Sequence, residues 1–303
     1  MKPKYVTCNY TNLYGTRMNG RLNRDQYYMY SLRSIAEVGD LIINYTCPYN
    51  RNFVDPFLAQ HDIKNVVSID YDLTKSPYHE RIEWIKDEKP FFYTDTSWLN
   101  RCVEIMWGKF EWLEENFAQL GEDDYLFWID CGLSQGAVIP RKFNPFHNNK
   151  KYYKQDGSDL ELEYCFRHDK IFNKEFTKRL ESYTGDKILL ICISHQQHGD
   201  SFGFDFSNKL QLWPIGGLFG GKKKHMLPFI CEFKRYADII LNNKLLVKEE
   251  QIMSVILNDH PEWFKIFSFS SWYHENWEVY HEFKKHDQSL VSFCDFFGML
   301  ITL

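Results

Sequence analysis

Two stretches of this sequence put carboxylates where an apolar run begins or ends. At 125–135 the chain reads YLFWIDCGLSQ: five apolar or aromatic residues run into Asp130, and Gly132 follows two positions later. Asp-x-Gly closes many strands as a plain turn. Open α/β sheets also bind their ligands beyond the carboxyl ends of the strands, so the same aspartate is a candidate site residue. At 248–257 the chain reads KEEQIMSVIL, with Glu249 and Glu250 opening an apolar-periodic run. The helix dipole favours acids there on stability grounds alone. Two further stretches invite chemistry. In PIGGLFGG (214–221) paired glycines bare the backbone, either for a turn or for a ring laid against it. SHQQHGD (194–200) offers His195, His198 and Asp200 as metal ligands, provided that the segment is helical.

Alternating strand-like and helix-like segments must hold these residues, which argues for an α/β layered fold. KYVTC (4–8), DLIINYT (40–46) and KNVVSID (64–70) read as the first strands, with a helix over 24–38 between the first two. Leu99, Val103, Met106, Phe110, Leu113, Phe117 and Leu120 recur at spacings of four and three. They predict a helix over 98–120 with one apolar face, stopping at Gly121 before the strand YLFWI. LEYCFR and KILLICIS (187–194) read as later strands and KIFSFS (265–270) as the last. Helices are expected at 226–242 and 248–258, a polar surface loop at 141–160, and a turn region at 214–221. Neither G-x-G-x-x-G after the first strand nor G-x-x-x-x-G-K-[ST] occurs, which disfavours dehydrogenases and P-loop NTPases.

Length and composition fit one compact domain. The 303 residues are 44% hydrophobic and 25% charged, which are globular proportions. The net charge of −5 argues against a nucleic-acid partner. One basic run, Lys222–Lys223–Lys224–His225, is either a solvated loop or a contact for phosphates or an anionic membrane surface. Eight cysteines without a C-x-x-C pair suggest reduced core thiols. With no apolar leader and no membrane-length run, a cytoplasmic protein is expected, with peripheral attachment at the inner face of the membrane left open.

The order of Asp130, GGLFGG and Glu249–Glu250 resembles GT-A type glycosyltransferases. The W-I-D-x-G of residues 128–132 is similar to a motif of the bacterial HtrL/YibB family. The resemblance implies a single GT-A-like, Rossmann-like domain over 1–303, with a mixed central sheet flanked by helices. Its nucleotide-sugar half would span about 1–140 and its acceptor half about 141–303. It implies transfer of a hexosyl or N-acetylhexosaminyl group from a nucleotide-diphosphate sugar, UDP-sugars first. The acceptor would be a glycan or lipid-linked glycan of bacterial surface polysaccharide such as lipopolysaccharide. GT-A enzymes end the central strand in Asp-x-Asp, which binds ribose and a divalent metal, Mn2+ or Mg2+. Here Asp130 matches the first aspartate and Gly132 replaces the second.

The same resemblance implies further roles. Lys109, placed like the lysine of glycogenin-type enzymes, would reach the donor phosphates. Gly216 and Gly217 match a segment of the blood-group transferases that borders donor and acceptor. Glu249 matches the first acidic position there, beside the substrate, and Glu250 the second, below the transferred sugar. His274 matches a C-terminal histidine that some GT-A enzymes add to the metal shell. Thr7, Arg17 and Arg24 would lie near the nucleotide. Two other readings remain: a metal-dependent hydrolase using His195 and His198, and a non-catalytic carbohydrate-binding protein using the aromatics.

Overall fold

The computed structural model describes residues 2–10, 24–88, 102–131, 172–194 and 212–268. Seven strands form one sheet: β1 (Pro3–Asn9), β2 (Leu41–Thr46), β3 (Val66–Asp70), β4 (Tyr125–Ile129), β5 (Ile188–Ser194), β6 (Leu212–Lys222) and β7 (Phe264–Ser268). Their order is β3-β2-β1-β4-β6-β5-β7. β6 runs antiparallel to both β4 and β5, and every other pair is parallel. The expected α/β domain with a mixed central sheet flanked by helices is therefore present.

Two helical layers cover the sheet, as strands buried on both faces require. On one face α1 (Arg24–Ala36), α2 (Pro48–Gln60) and α5 (Phe176–Thr184) contribute Leu32, Ile35, Val54, Leu58, Phe176 and Leu180. On the other lie α3 (His79–Glu88), α4 (Cys102–Phe117), α6 (Lys223–Asn242) and α7 (Glu249–Asp259). The strands serve both layers by period-two alternation. In β4, Leu126 and Trp128 face the second layer, and Phe127 and Ile129 face the first.

The stripe predicted on 98–120 is the inner face of α4, where Val103, Phe110, Leu113 and Phe117 are wholly buried. Each such side chain contributes roughly 1.5–3 kcal/mol by leaving water. Trp107 and Trp112 widen that face and are buried as completely. Trp112 stacks on Tyr45, with ring centroids 5.0 Å apart, and on Trp128 at 6.0 Å, so α4 is keyed to β2 and β4.

One expectation is corrected. Residues 214–221 are not a turn region but the middle of β6, an 11-residue strand. Phe127 pairs with Gly220, Trp128 with Phe219 and Ile129 with Leu218. A Cβ at Gly220 would stand 2.4 Å from the Leu126 carbonyl oxygen, and one at Gly221 would stand 2.7 Å from that of Lys187. These glycines let β6 approach both neighbours. The LEYCFR strand and the 141–160 loop lie outside the described residues.

Candidate functional site

The site is assembled where β4 and β6 meet. Beyond Ile129 the ladder continues through one more bond, from Asp130 N–H to the Gly217 carbonyl at 2.8 Å. Because β6 is antiparallel, this register sets the start of its glycine segment against the carboxyl end of β4. α7 begins beside it. Gln251 accepts from the Lys248 N–H at 2.9 Å, which caps that helix and fixes its first turn. The sequence-predicted Asp130, Gly216, Gly217, Glu249, Glu250 and Lys109 are thus brought together from β4, β6, α7 and α4.

At the centre is Lys109. Its Nζ donates to the Gly216 carbonyl at 2.9 Å and to Glu249 Oε1 at 2.7 Å, and lies 3.3 Å from Asp130 Oδ1. The Lys109 and Glu249 side chains are 6% and 4% exposed, whereas Asp130 is 40% exposed. Burial is the largest influence on Lys109 and pulls its pKa down. Asp130, Glu249 and Glu250 more than offset it, so the ammonium is held above lysine's ordinary value. Glu249 Oε2 has no hydrogen-bond partner.

Glu250 sits half-buried beside this pair, and the Gly216 N–H points to its Oε1 at 3.4 Å. Burial, then the Glu249 charge, pushes its carboxyl up to about 7; Lys109, Lys248 and the Gly216 N–H pull the other way. A carboxyl with that value exchanges its proton near neutral pH, as a general base must.

Trp128, which sequence reasoning used only as part of a motif, has a role of its own. Its indole Nε1–H donates to Asp130 Oδ1 at 2.7 Å, and the Lys109 ammonium lies 5.2 Å from its ring. The Lys109–Glu249 pair was also missed. No spacing rule brings residues 140 positions apart together, and only the topology does so.

Thr7 is wholly buried in β1, and its Oγ1 has no hydrogen-bond partner; nor do the carboxamide atoms of Asn9 or Asn44 Oδ1. Thr7 pairs with Asn44 across to β2, so these atoms form a buried polar layer at the carboxyl ends of the two strands. Arg24 opens α1, and its side chain is not described. Arg17, Gly132, His195, His198, Asp200 and His274 lie outside the described residues.

The metal expectation can be tested at Asp130. Its Oδ1 already takes the Trp128 N–H and faces the Lys109 ammonium. Among the described residues, the three-residue group with metal-ligand spacing is elsewhere: His79, Glu83 and Glu104, with ligand atoms within 4.8 Å of one another. The described residues therefore do not by themselves make a divalent-metal site at Asp130. In the other group Lys86 lies 2.9 Å from Glu83 and 3.7 Å from Glu104, so an ammonium already supplies positive charge.

The basic run is neutralised locally: Lys222 pairs with Asp186, Lys223 with Glu122 and Lys224 with Asp123. Among the described residues no helix is long and apolar enough to cross a membrane.

No family model matches this sequence, and no curated protein does. Among solved structures, the chain is similar to mouse xyloside xylosyltransferase 1 in its apo form. That likeness has a TM-score of 0.45 at 8% identity, over 94% of this chain and 93% of that one. At such identity and TM-score it bears on neither donor nor acceptor.

Proposed function

We propose that this chain is a glycosyltransferase that takes a nucleotide-diphosphate sugar, a UDP-sugar first, and delivers the sugar to a glycan or lipid-linked acceptor. The observation that supports this is the meeting of Asp130, the Gly216–Gly217 segment of β6, and the acidic start of α7 at the carboxyl edge of a mixed sheet. That edge is where α/β sheets receive ligands. The motif order resembling GT-A enzymes assigns the donor to the same place.

In this reading Asp130 faces the donor, and the acidic start of α7 lies beside the transferred sugar. Transfer breaks the bond between the anomeric carbon and the diphosphate oxygen and forms one to an acceptor hydroxyl oxygen. Glu250 provides the carboxylate beside the reacting sugar. As a base it takes the acceptor's hydroxyl proton, and the electron pair of the broken bond leaves with the diphosphate. Lys109 offsets one of the two charges of Asp130 and Glu249, which limits the negative charge that a diphosphate meets on entry. The resemblance further assigns a bacterial surface polysaccharide as the acceptor's context, and Thr7 and Arg24 to the nucleotide end.

The test is a thermal-shift and calorimetric screen against UDP-, GDP-, CMP- and dTDP-sugars, with and without manganese. One nucleotide class should raise the Tm and bind. Asp130→Ala should abolish that response, and its melt should stay cooperative at a Tm lowered by loss of the acceptor for the Trp128 N–H. If no nucleotide sugar binds the parent, the glycosyltransferase reading is wrong.

A further inference from the structure

Resting on that reading but going beyond it, we infer that Lys109 is a positioning residue. It is an internal cation that locks Asp130, Glu249 and the Gly216 carbonyl into one constellation and makes no contact with the donor's phosphates. An ammonium has three N–H donors and no acceptor. Two are spent on the Gly216 carbonyl and Glu249 Oε1, at 2.9 and 2.7 Å, and Asp130 Oδ1 lies 3.3 Å away as the third polar neighbour. The Trp128 ring closes another side at 5.2 Å. With its side chain only 6% exposed and its donors turned to these partners, Lys109 is directed inward and not toward an entering anion.

Gly216 fits the same account. A Cβ there would stand 2.4 Å from Glu249 Oε1 and 3.1 Å from Lys109 Nζ, so the pair fills the space beside the β6 backbone. The three partners of Lys109 come from β4, β6 and α7. One cation therefore fixes the relative placement of the strand-end aspartate, the β6 backbone and the helix that carries Glu250. A phosphate ligand would have to leave these partners and strand the buried Glu249 carboxylate without a cation.

A stability cycle with a binding readout decides this. Lys109→Met leaves Glu249 buried and unpaired, so the Tm should fall by roughly 5–10 °C. Lys109→Met combined with Glu249→Gln removes both charges, keeps the volumes and should recover most of that loss. Calorimetry with UDP and with uridine as probes should then show the double variant losing affinity for both by a similar factor, whereas losing a charge-assisted phosphate contact would weaken UDP alone, by tenfold or more. As an internal cation Lys109 also holds down the pKa of Glu250. The carboxyl 13C signal of Glu250, assigned by its absence in Glu250→Gln, should titrate at higher pH in Lys109→Met than in the parent. A double variant as unstable as Lys109→Met, a tenfold loss of UDP affinity that uridine does not share, or an unmoved Glu250 titration would each overturn the inference. If UDP and the other nucleotides fail to bind the parent, the transferase reading falls. The stability cycle and the Glu250 titration would still decide the role of Lys109.

Discussion

Two adjacent glutamates open α7, and the structure gives them opposite surroundings. Glu249 is buried on Lys109, while Glu250 is half-buried and holds its proton up to about 7. Their separation of about 100° around the helix is all that local sequence offers. The side facing Lys109 is set by tertiary packing, which the local sequence does not reveal. Magnitudes separate the roles further. A first-turn glutamate contributes about 0.3–1 kcal/mol through the helix dipole, whereas a positioned base contributes roughly 10²-fold or more in rate. Glu250→Gln should therefore cut transfer at least about a hundredfold while the Tm at pH 8 stays level or rises. Glu249→Gln should act through stability instead, because it leaves Lys109 without its nearest carboxylate. The parent's rate should rise with pH to a half-maximum near 7, since the base works ionised. A rate that is flat between about pH 5.5 and 8.5 would remove Glu250 from the chemistry.

At the scale of elements, the strand β6 carries the site and was the hardest to read. Glycine-rich sequence signals turns because glycine weakens strands, and GGLFGG followed that signal. Its glycines serve close approach instead: Gly220 to β4, Gly221 to β5 and Gly216 to the Glu249 side chain. Gly216→Ala should thus push Glu249 off Lys109 and lower the stability by an amount typical of overpacking, about 1–3 kcal/mol. Gly121→Ala is the control, since the nearest atom to its Cβ would be Asp124 Oδ2 at 3.4 Å, and it should stay within about 0.5 kcal/mol. Equal effects from the two, measured by thermal melts, would mean that Gly216 is not a packing constraint. The helix α4 was legible because its apolar stripe runs at 3.6-residue spacing along one face. α2 was not, because Pro48 and Pro56 interrupt the signal; Pro48 occupies the tolerated first turn while Pro56 lies inside the helix. The strand-end aspartate was legible from local pattern alone, whereas the antiparallel placement of β6 between two parallel pairs was not.

Over the whole molecule, α4 connects the site to a second carboxyl held above its ordinary range. Glu111, two residues after Lys109, accepts from Tyr71 Oη at 3.1 Å and Ser76 Oγ at 3.5 Å. Burial pushes it up to about 7, against the downward pull of Tyr71 and Lys234. Glu111 and Glu250 thus share the helical face of the sheet that carries the site and titrate in the same range. Both start from an unfolded value of 4.5. At these two sites the folded chain therefore binds more protons than the unfolded chain between about 4.5 and 7, and their contribution to stability falls as pH rises through that window. The contribution of the two protonated carboxyls is complete below about 4.5 and is lost once the pH has passed about 7. Replacing both with glutamine keeps a neutral side chain of the same shape at every pH. All other titrating groups remain in both proteins, so to first order they cancel in the difference between them. The Tm of Glu111→Gln/Glu250→Gln minus that of the parent should accordingly be more positive at pH 8 than at pH 5, by a few degrees. A difference that stays constant across that range would show that neither carboxyl is protonated in the folded protein at pH 5–6, and the acid limb expected for transfer would lose its physical basis.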